Sequence, residues 1–167
     1  MTKILFVCHG NICRSVMAEM MMKHLCRQAR VDALFEIASA AVSTEETGND
    51  IYPPAQRILR EKGVPYTHHA ARQITRADYA YYDYIICADQ SNLRWLARIV
   101  GEDTEHKVSL MMQWVDGRMV NGKIVNDTMI NISDPWYTGD FEAAYQDIDA
   151  SCQAILNKSI GVSGLVD

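Results

Sequence analysis

The sequence predicts an α/β fold: three layers, with a central four-stranded parallel sheet flanked by helices. Three observations predict it. Short apolar runs of strand length alternate with longer segments whose apolar residues recur every three or four positions, as strands joined by crossover helices do. One run, Tyr84-Ile85-Ile86-Cys87, has no alternation, the mark of a strand covered on both faces. The 167-residue chain is 49% hydrophobic and 22% charged, which fits the core of one compact domain and is too apolar for disorder.

Taken in order, the first strand is read at residues 3–7 and stops at Cys8. Met17, Met20, Met21 and Leu25 then repeat at helical spacing, so this region reads strand, loop, helix. A second strand is expected at 34–39, followed by a polar stretch to Asp50. Pro53-Pro54 announces the next helix, because the first turn has no partner for the N–H that proline lacks. Ala55, Ile58 and Leu59 share its face and Gly63 ends it. After the third strand at 84–87, Asp89 stands where it can cap a helix with Leu93, Leu96, Ala97 and Val100 in one stripe. A fourth strand is expected at 107–110. Asp116-Gly117 and Asn121-Gly122 are turn signals, and the second lies between Met119-Val120 and Ile124-Val125 as in a small hairpin. Phe141, Ala144, Tyr145, Ile148, Cys152 and Ile155 keep one face over about four turns and predict the last helix. Residues 1–158 thus read as a single domain and the Gly- and Ser-containing stretch 159–167 as a flexible tail.

Composition also excludes. The 16 Lys and Arg against 21 Asp and Glu leave a formal net charge of -5, which argues against nonspecific nucleic-acid binding and requires any anion site to be local. No apolar run approaches the roughly 20 residues needed to cross a bilayer. The N-terminus lacks the apolar region and cleavage site of a signal peptide, so a cytoplasmic protein without a membrane partner is expected. The cysteines, Cys8, Cys13, Cys26, Cys87 and Cys152, are odd in number and scattered, and read as thiols.

The chemistry concentrates in Cys8-His9-Gly10-Asn11-Ile12-Cys13-Arg14-Ser15. A loop turning from strand into helix aims successive N–H groups inward and adds the helix dipole, which together make an anion nest. Gly10 permits the tight backbone, and Asn11 can hold a left-handed conformation. The same field favours thiolate over thiol, which predicts that Cys8 is acidified below the free value of ~8.5 and is a nucleophile at neutral pH. The planar fork of Arg14 can clamp two oxygens of a bound phosphoryl group, and Ser15 can donate to the thiolate.

This octapeptide resembles the phosphate-binding loop of the low-molecular-weight protein tyrosine phosphatases, and the likeness covers nearly the whole chain. It extends to Ser39-Ala40-Ala41, to His69-Ala70-Ala71-Arg72-Gln73-Ile74-Thr75, to the segment from Asp83 to Leu93, and to Asp134-Pro135-Trp136-Tyr137 with Gly139 and Phe141-Glu142 after it. The resemblance implies a cysteinyl-phosphate intermediate formed on Cys8, with Arg14 as phosphate clamp and Asp134 as general acid and base, and with no metal or cofactor. It places His9, Gly10, Asn11, Ile12, Cys13 and Ser15 around the phosphate. Ser39, His69 and Asp89 stand behind the loop as hydrogen-bonded supports. Trp136 and Tyr137 form cleft walls that can sandwich a phenyl ring. A transient disulfide between Cys8 and Cys13 is a further implication. The implied partners are a phosphotyrosine-containing protein or a small aryl phosphate, with a bacterial tyrosine kinase among the proteins acted on. Ile12 is similar to the loop residue of tyrosine-specific members, where arginine phosphatases carry threonine.

Two related readings share the fold and loop: a phosphoarginine phosphatase, and a thiol-dependent arsenate reductase. The latter needs a redox cysteine pair near mid-chain, where this sequence has Cys87 alone. One departure bears on specificity. Where the family often has Trp or Tyr as the opposing wall, this chain has Glu45, which repels a dianion and predicts weaker small aryl phosphate binding or selection of basic flanks. Tyr52-Pro53-Pro54 and the stretch 113–131 also depart from the family pattern.

Overall fold

The computed structural model describes residues 1–115, 119–120, 123–124 and 131–162. Its first strand, β1 (Thr2–Cys8), leads through a short loop into α1 (Arg14–Gln28). There follow β2 (Phe35–Ala41), α2 (Pro53–Glu61), α3 (Arg76–Tyr81), β3 (Tyr84–Cys87), α4 (Gln90–Val100) and β4 (Val108–Leu110). A two-residue pair, β5 (Met119–Val120) and β6 (Lys123–Ile124), precedes the single turn α5 (Pro135–Thr138) and the long α6 (Phe141–Val162).

The sheet order is β2-β1-β3-β4 and every pairing is parallel. Ile4, Leu5, Phe6 and Val7 are consecutive and all fully buried. Successive strand side chains point to opposite faces, so helices must cover β1 on both sides, which gives the three layers. α1 packs against α6 and β2, while α3 packs on α4 and α4 on β3. Because β1 is flanked by β2 on one side and β3 on the other, the strand order reverses at its C-terminal end. That is where open α/β sheets bind ligands, and it is occupied by Cys8.

The differences from expectation have local causes. β2 runs on to Ala41, where Ala40 and Ala41 pair with Val7 and Cys8. β4 starts one residue later than expected, at Val108. In α4 the buried line is Asn92 and Leu96, and Ala97 is exposed. Leu93 and Val100 of the expected stripe pack on the core beside them, and Asn92 is drawn in by its capping box with Asp89, which an apolar count cannot see. α3 has no apolar stripe of its own and is started by a second capping box, Thr75 with Asp78. The small hairpin pairs Met119 with Ile124 and Val120 with Lys123, one residue earlier on its second strand than expected, while both of its turn signals lie outside the described residues. α6 continues to Val162, past residue 159 where fraying was expected, because Ile160 still packs on the core; 163–167 lie outside the described residues.

Candidate active site

The loop between β1 and α1 is held by its carbonyls. Cys8 O accepts from Val42 N–H at 3.0 Å, His9 O from Ser43 N–H at 3.1 Å, Ile12 O from Tyr52 N–H at 2.9 Å and Cys13 O from Met17 N–H at 2.9 Å. Asn11 O accepts from the ring of His69 at 2.7 Å, so Nε2 of that histidine carries the proton. In a planar trans peptide the next N–H points opposite its carbonyl. Five carbonyls turned out therefore turn in the N–H groups of His9, Gly10, Ile12, Cys13 and Arg14, a concave donor array at a helix start. The left-handed residue of the turn is Asn11, at φ 61. Gly10 needs no positive φ; what restricts it is space, because a Cβ there would lie 3.3 Å from Glu46 Cγ.

Cys8 Sγ stands over this array. It receives the Asn11 N–H at 3.3 Å and lies 3.0 Å from Ser15 Oγ. The direction of the latter bond follows from proton counting. Asn11 Nδ2 donates to Ser15 Oγ at 2.8 Å and to Ser39 Oγ at 2.9 Å, and Ser39 donates in turn to Glu19 Oε1 at 2.7 Å. Ser15 is left with its own hydrogen to give to the sulfur. Arg72 N–H on Asn11 Oδ1, at 3.3 Å, fixes which way the amide faces. Ser39 and His69 thus both touch the loop. Glu19 was not anticipated as the end of this chain; it lies one helical turn after Ser15, and a carboxylate on an inward face was the available signal.

Arg14 is 2% exposed, and three of its five N–H donors are committed within the protein. Nη1 donates to Asp89 Oδ2 at 2.6 Å and to Ile132 O at 2.8 Å, and Nη2 donates to Asp134 Oδ2 at 3.2 Å. Burial alone would lower its pKa, but Cys8, Asp134 and Asp89 outweigh it and hold the guanidinium charged. Asp89 does two jobs: Oδ2 aims Arg14 and Oδ1 caps α4 through the Asn92 N–H at 2.8 Å. Asp134 is likewise divided, Oδ2 on Arg14 and Oδ1 capping α5 through the Trp136 N–H at 3.1 Å. The loop that carries it is tied back to β3 by Ile132 N–H on Ala88 O at 3.0 Å.

Together these groups line a cavity of about 100 Å³, bounded by Cys8, Gly10, Ile12, Arg14, Asp134 and Trp136 among others. His9, Cys13, Glu45 and Tyr137 also line it, and so does Glu46, which the sequence reading missed. Asn11 and Ser15 are fully buried beneath and contribute through the loop backbone and the sulfur, not as walls. Trp136 is 50% and Tyr137 82% exposed, so both are rim residues and not core. Trp136 leans on Tyr52, with ring centroids 4.7 Å apart. Tyr52 thereby joins the phosphate-side loop, through its N–H on Ile12, to the loop of Asp134. Glu45 pairs with His9 Nε2 at 3.1 Å.

The five thiols are free and differ in setting. Burial, with Cys8 and Asp134 nearby, pushes the Cys13 thiol well up. Burial pushes Cys26 up to about 11 and holds Cys87, inside β3, and Cys152 higher still. Cys87 is fully buried inside the central sheet, which argues against its serving as the exchanging cysteine of an arsenate reductase.

Residues 3–162 match the family model described as low molecular weight phosphotyrosine protein phosphatase. The chain is 38% identical to the Mus musculus low molecular weight phosphotyrosine protein phosphatase, covering 93% of this chain and 94% of the relative. It is 31% identical, over the same shares, to the low molecular weight protein-tyrosine-phosphatase YfkJ of Bacillus subtilis. The crystal structure of YfkJ superposes with a TM-score of 0.85 at 30% identity, covering 95% of this chain and 94% of that one. A Drosophila arginine phosphatase is similar too, with a TM-score of 0.80 at 29% identity over 95% and 98% of the two chains.

Proposed function

The chain belongs to the low molecular weight phosphotyrosine protein phosphatase family, and from that premise we propose that it hydrolyses phosphotyrosine with Cys8 as nucleophile, Arg14 as clamp and Asp134 as general acid and base. The observation that supports this most is the convergence of the Cys8 sulfur, five inward N–H groups, Arg14 and Asp134 on one cavity.

The reaction runs in two displacements. Cys8 Sγ forms a bond to phosphorus as the P–O bond to the phenol breaks, and protonated Asp134 gives its hydrogen to the leaving oxygen. Charge on the equatorial oxygens is met by the loop N–H groups and by Arg14. The entering dianion offers Arg14 Nη2 a stronger partner than Asp134 Oδ2, 3.2 Å away, and so frees that oxygen for proton transfer. Asp134 then takes a proton from water, which attacks phosphorus; the S–P bond breaks and phosphate leaves. No metal is required by this scheme. Ser39, His69 and Asp89 keep the loop and Arg14 in place, and Trp136 and Tyr137 flank the phenyl ring.

Phosphotyrosine-containing proteins are the substrate class; a bacterial tyrosine kinase as one of them, and action in the cytoplasm, are part of this proposal. Among the described residues no helix is long and apolar enough to cross a membrane. The carboxylates Glu45 and Glu46 at the lip support a second reading, a phosphoarginine substrate whose guanidinium they accept. Against it, Ile12 in the wall offers a guanidinium no acceptor. Wild type should hydrolyse p-nitrophenyl phosphate in the presence of EDTA and prefer phosphotyrosine to phosphoarginine peptides, while Cys8→Ser should do neither. Equal turnover by Cys8→Ser would overturn the assignment, and a preference for phosphoarginine would install the second reading.

A further inference from the structure

Beside the catalytic cavity lies a second surface groove, and the two share a wall. Val42, Glu45, Gln73, Trp95, Arg98 and Ile99 line the groove, and Glu45 belongs to both. His9 makes a second link: its ring meets Trp95 edge-on at 5.4 Å while its Nε2 is 3.1 Å from Glu45. Trp95 is 41% exposed on α4, away from the helix's buried Asn92–Leu96 line. A single exposed Trp on a surface needs no explanation. This one floors a groove, with Val42 and Ile99, that opens from the mouth of an active site, and it is a large rigid side chain of the kind that anchors protein contacts.

We propose that this groove receives the chain flanking the phosphotyrosine of a protein substrate, selecting a basic residue next to the phosphotyrosine and a large apolar residue at the second position from it. The inference rests on the phosphatase reading above. An extended chain advances about 3.3 Å per residue with side chains alternating between faces. A phosphotyrosine pointing down toward Cys8 therefore sends the second residue down as well, about 6.6 Å further on. The groove that opens beside His9 and Glu45 offers that residue Trp95, whose ring lies 5.4 Å from the histidine lining the cavity. The residue between points outward along the rim, where the 67% exposed Glu45 carboxylate, with one oxygen on His9, presents the other to a cation.

Phosphotyrosine peptides of one length, with Lys or Glu at the first flanking position and Leu or Gly at the second, on either side, test this by kcat/KM with p-nitrophenyl phosphate as reference. Wild type should prefer Leu over Gly by about fivefold on one side of the phosphotyrosine. In Trp95→Ala that preference should vanish and in Trp95→Phe it should persist. The Lys-over-Glu preference should vanish in Glu45→Gln alone. A flat wild-type profile overturns the proposal. So does a Trp95→Ala loss that is equal on the peptides and on p-nitrophenyl phosphate, which would make Trp95 a prop for His9. A Trp95-dependent dimer in sedimentation with a flat peptide profile would give the groove to a second copy of the chain. Failure of wild type to hydrolyse p-nitrophenyl phosphate would instead overturn the phosphatase reading, and this inference with it.

Discussion

The floor and the rim of the catalytic cavity are built on opposite principles. On the floor, Cys8, Asn11, Arg14 and Ser15 are buried, and each polar side chain there has its partners: Ser39, Glu19, Asp89, the Ile132 carbonyl. On the rim, Glu45, Trp136 and Tyr137 stand in solvent, and their contacts are one exposed histidine–carboxylate hydrogen bond, one tilted ring contact and a backbone cap. A buried polar group left unpaired is costly, so the floor has one arrangement; an exposed group is free to change. Chemistry is thereby fixed in the floor and selection is left to the rim. Substitutions in the two regions should differ in kind as well as size.

The largest effect is expected from Cys8→Ser, which should remove turnover of any phosphate ester while leaving the fold intact by circular dichroism. Asp134→Asn should slow hydrolysis of an aryl phosphate by ~10²–10⁴. The loss should shrink for a leaving group that needs no proton, such as a dinitrophenolate, and an equal loss on both esters would remove the acid role. Ser39→Ala should leave one Asn11 Nδ2 hydrogen and the Oε1 of Glu19 without their partner, costing about 1–3 kcal/mol of stability and a Tm drop of roughly 2–10 °C. A neutral result would mean that the hydrogen-bond chain behind the sulfur does not tie the floor together. At the rim, Glu45→Gln should change KM for peptides by about fivefold, the value of two charges 4 Å apart in water, and leave kcat alone. A fall in kcat instead would show that the rim takes part in the chemistry and would break the division between the two regions.

How much of each region was legible in the sequence follows the same line. The floor was legible because its parts are local: a strand end, a glycine, a left-handed asparagine and a helix start lie within eight residues, and a single register fixes them. Asp134 and Ser39 came from resemblance, since no periodicity joins them to Cys8. Glu19 and Arg72 were missed because their roles are set by tertiary hydrogen bonds to Asn11 and Ser39, invisible as any spacing. The left-handed position was correctly read at Asn11, while the clearance Gly10 provides beside Glu46 depends on a residue far along the chain and could not be read. Glu46 and Tyr52 at the rim were missed as site residues because exposed loops carry no apolar pattern to fix where they point. The α4 stripe was legible at Leu93, Leu96 and Val100, which face the core, and missed only at Ala97, whose place on the inner face is taken by Asn92.

Thiol reactivity sharpens the contrast within the loop itself. Burial holds Cys13 as a neutral thiol near pH 7, because raising a thiol's pKa removes thiolate at any lower pH. Iodoacetamide at pH 7 should therefore label Cys8 and spare Cys13, Cys26, Cys87 and Cys152, with peptide mass mapping as the readout. Bound inorganic phosphate should protect Cys8.

The central claim is that phosphate passes through a covalent bond to one sulfur. Rapid acid quench of Asp134→Asn during turnover of an aryl phosphate, followed by peptide mapping, tests it directly. A phosphoryl group on Cys8, absent from the Cys8→Ser, Asp134→Asn double variant, is the predicted result. A phosphoryl group on any other residue, or turnover with no adduct at any quench time, would contradict the account.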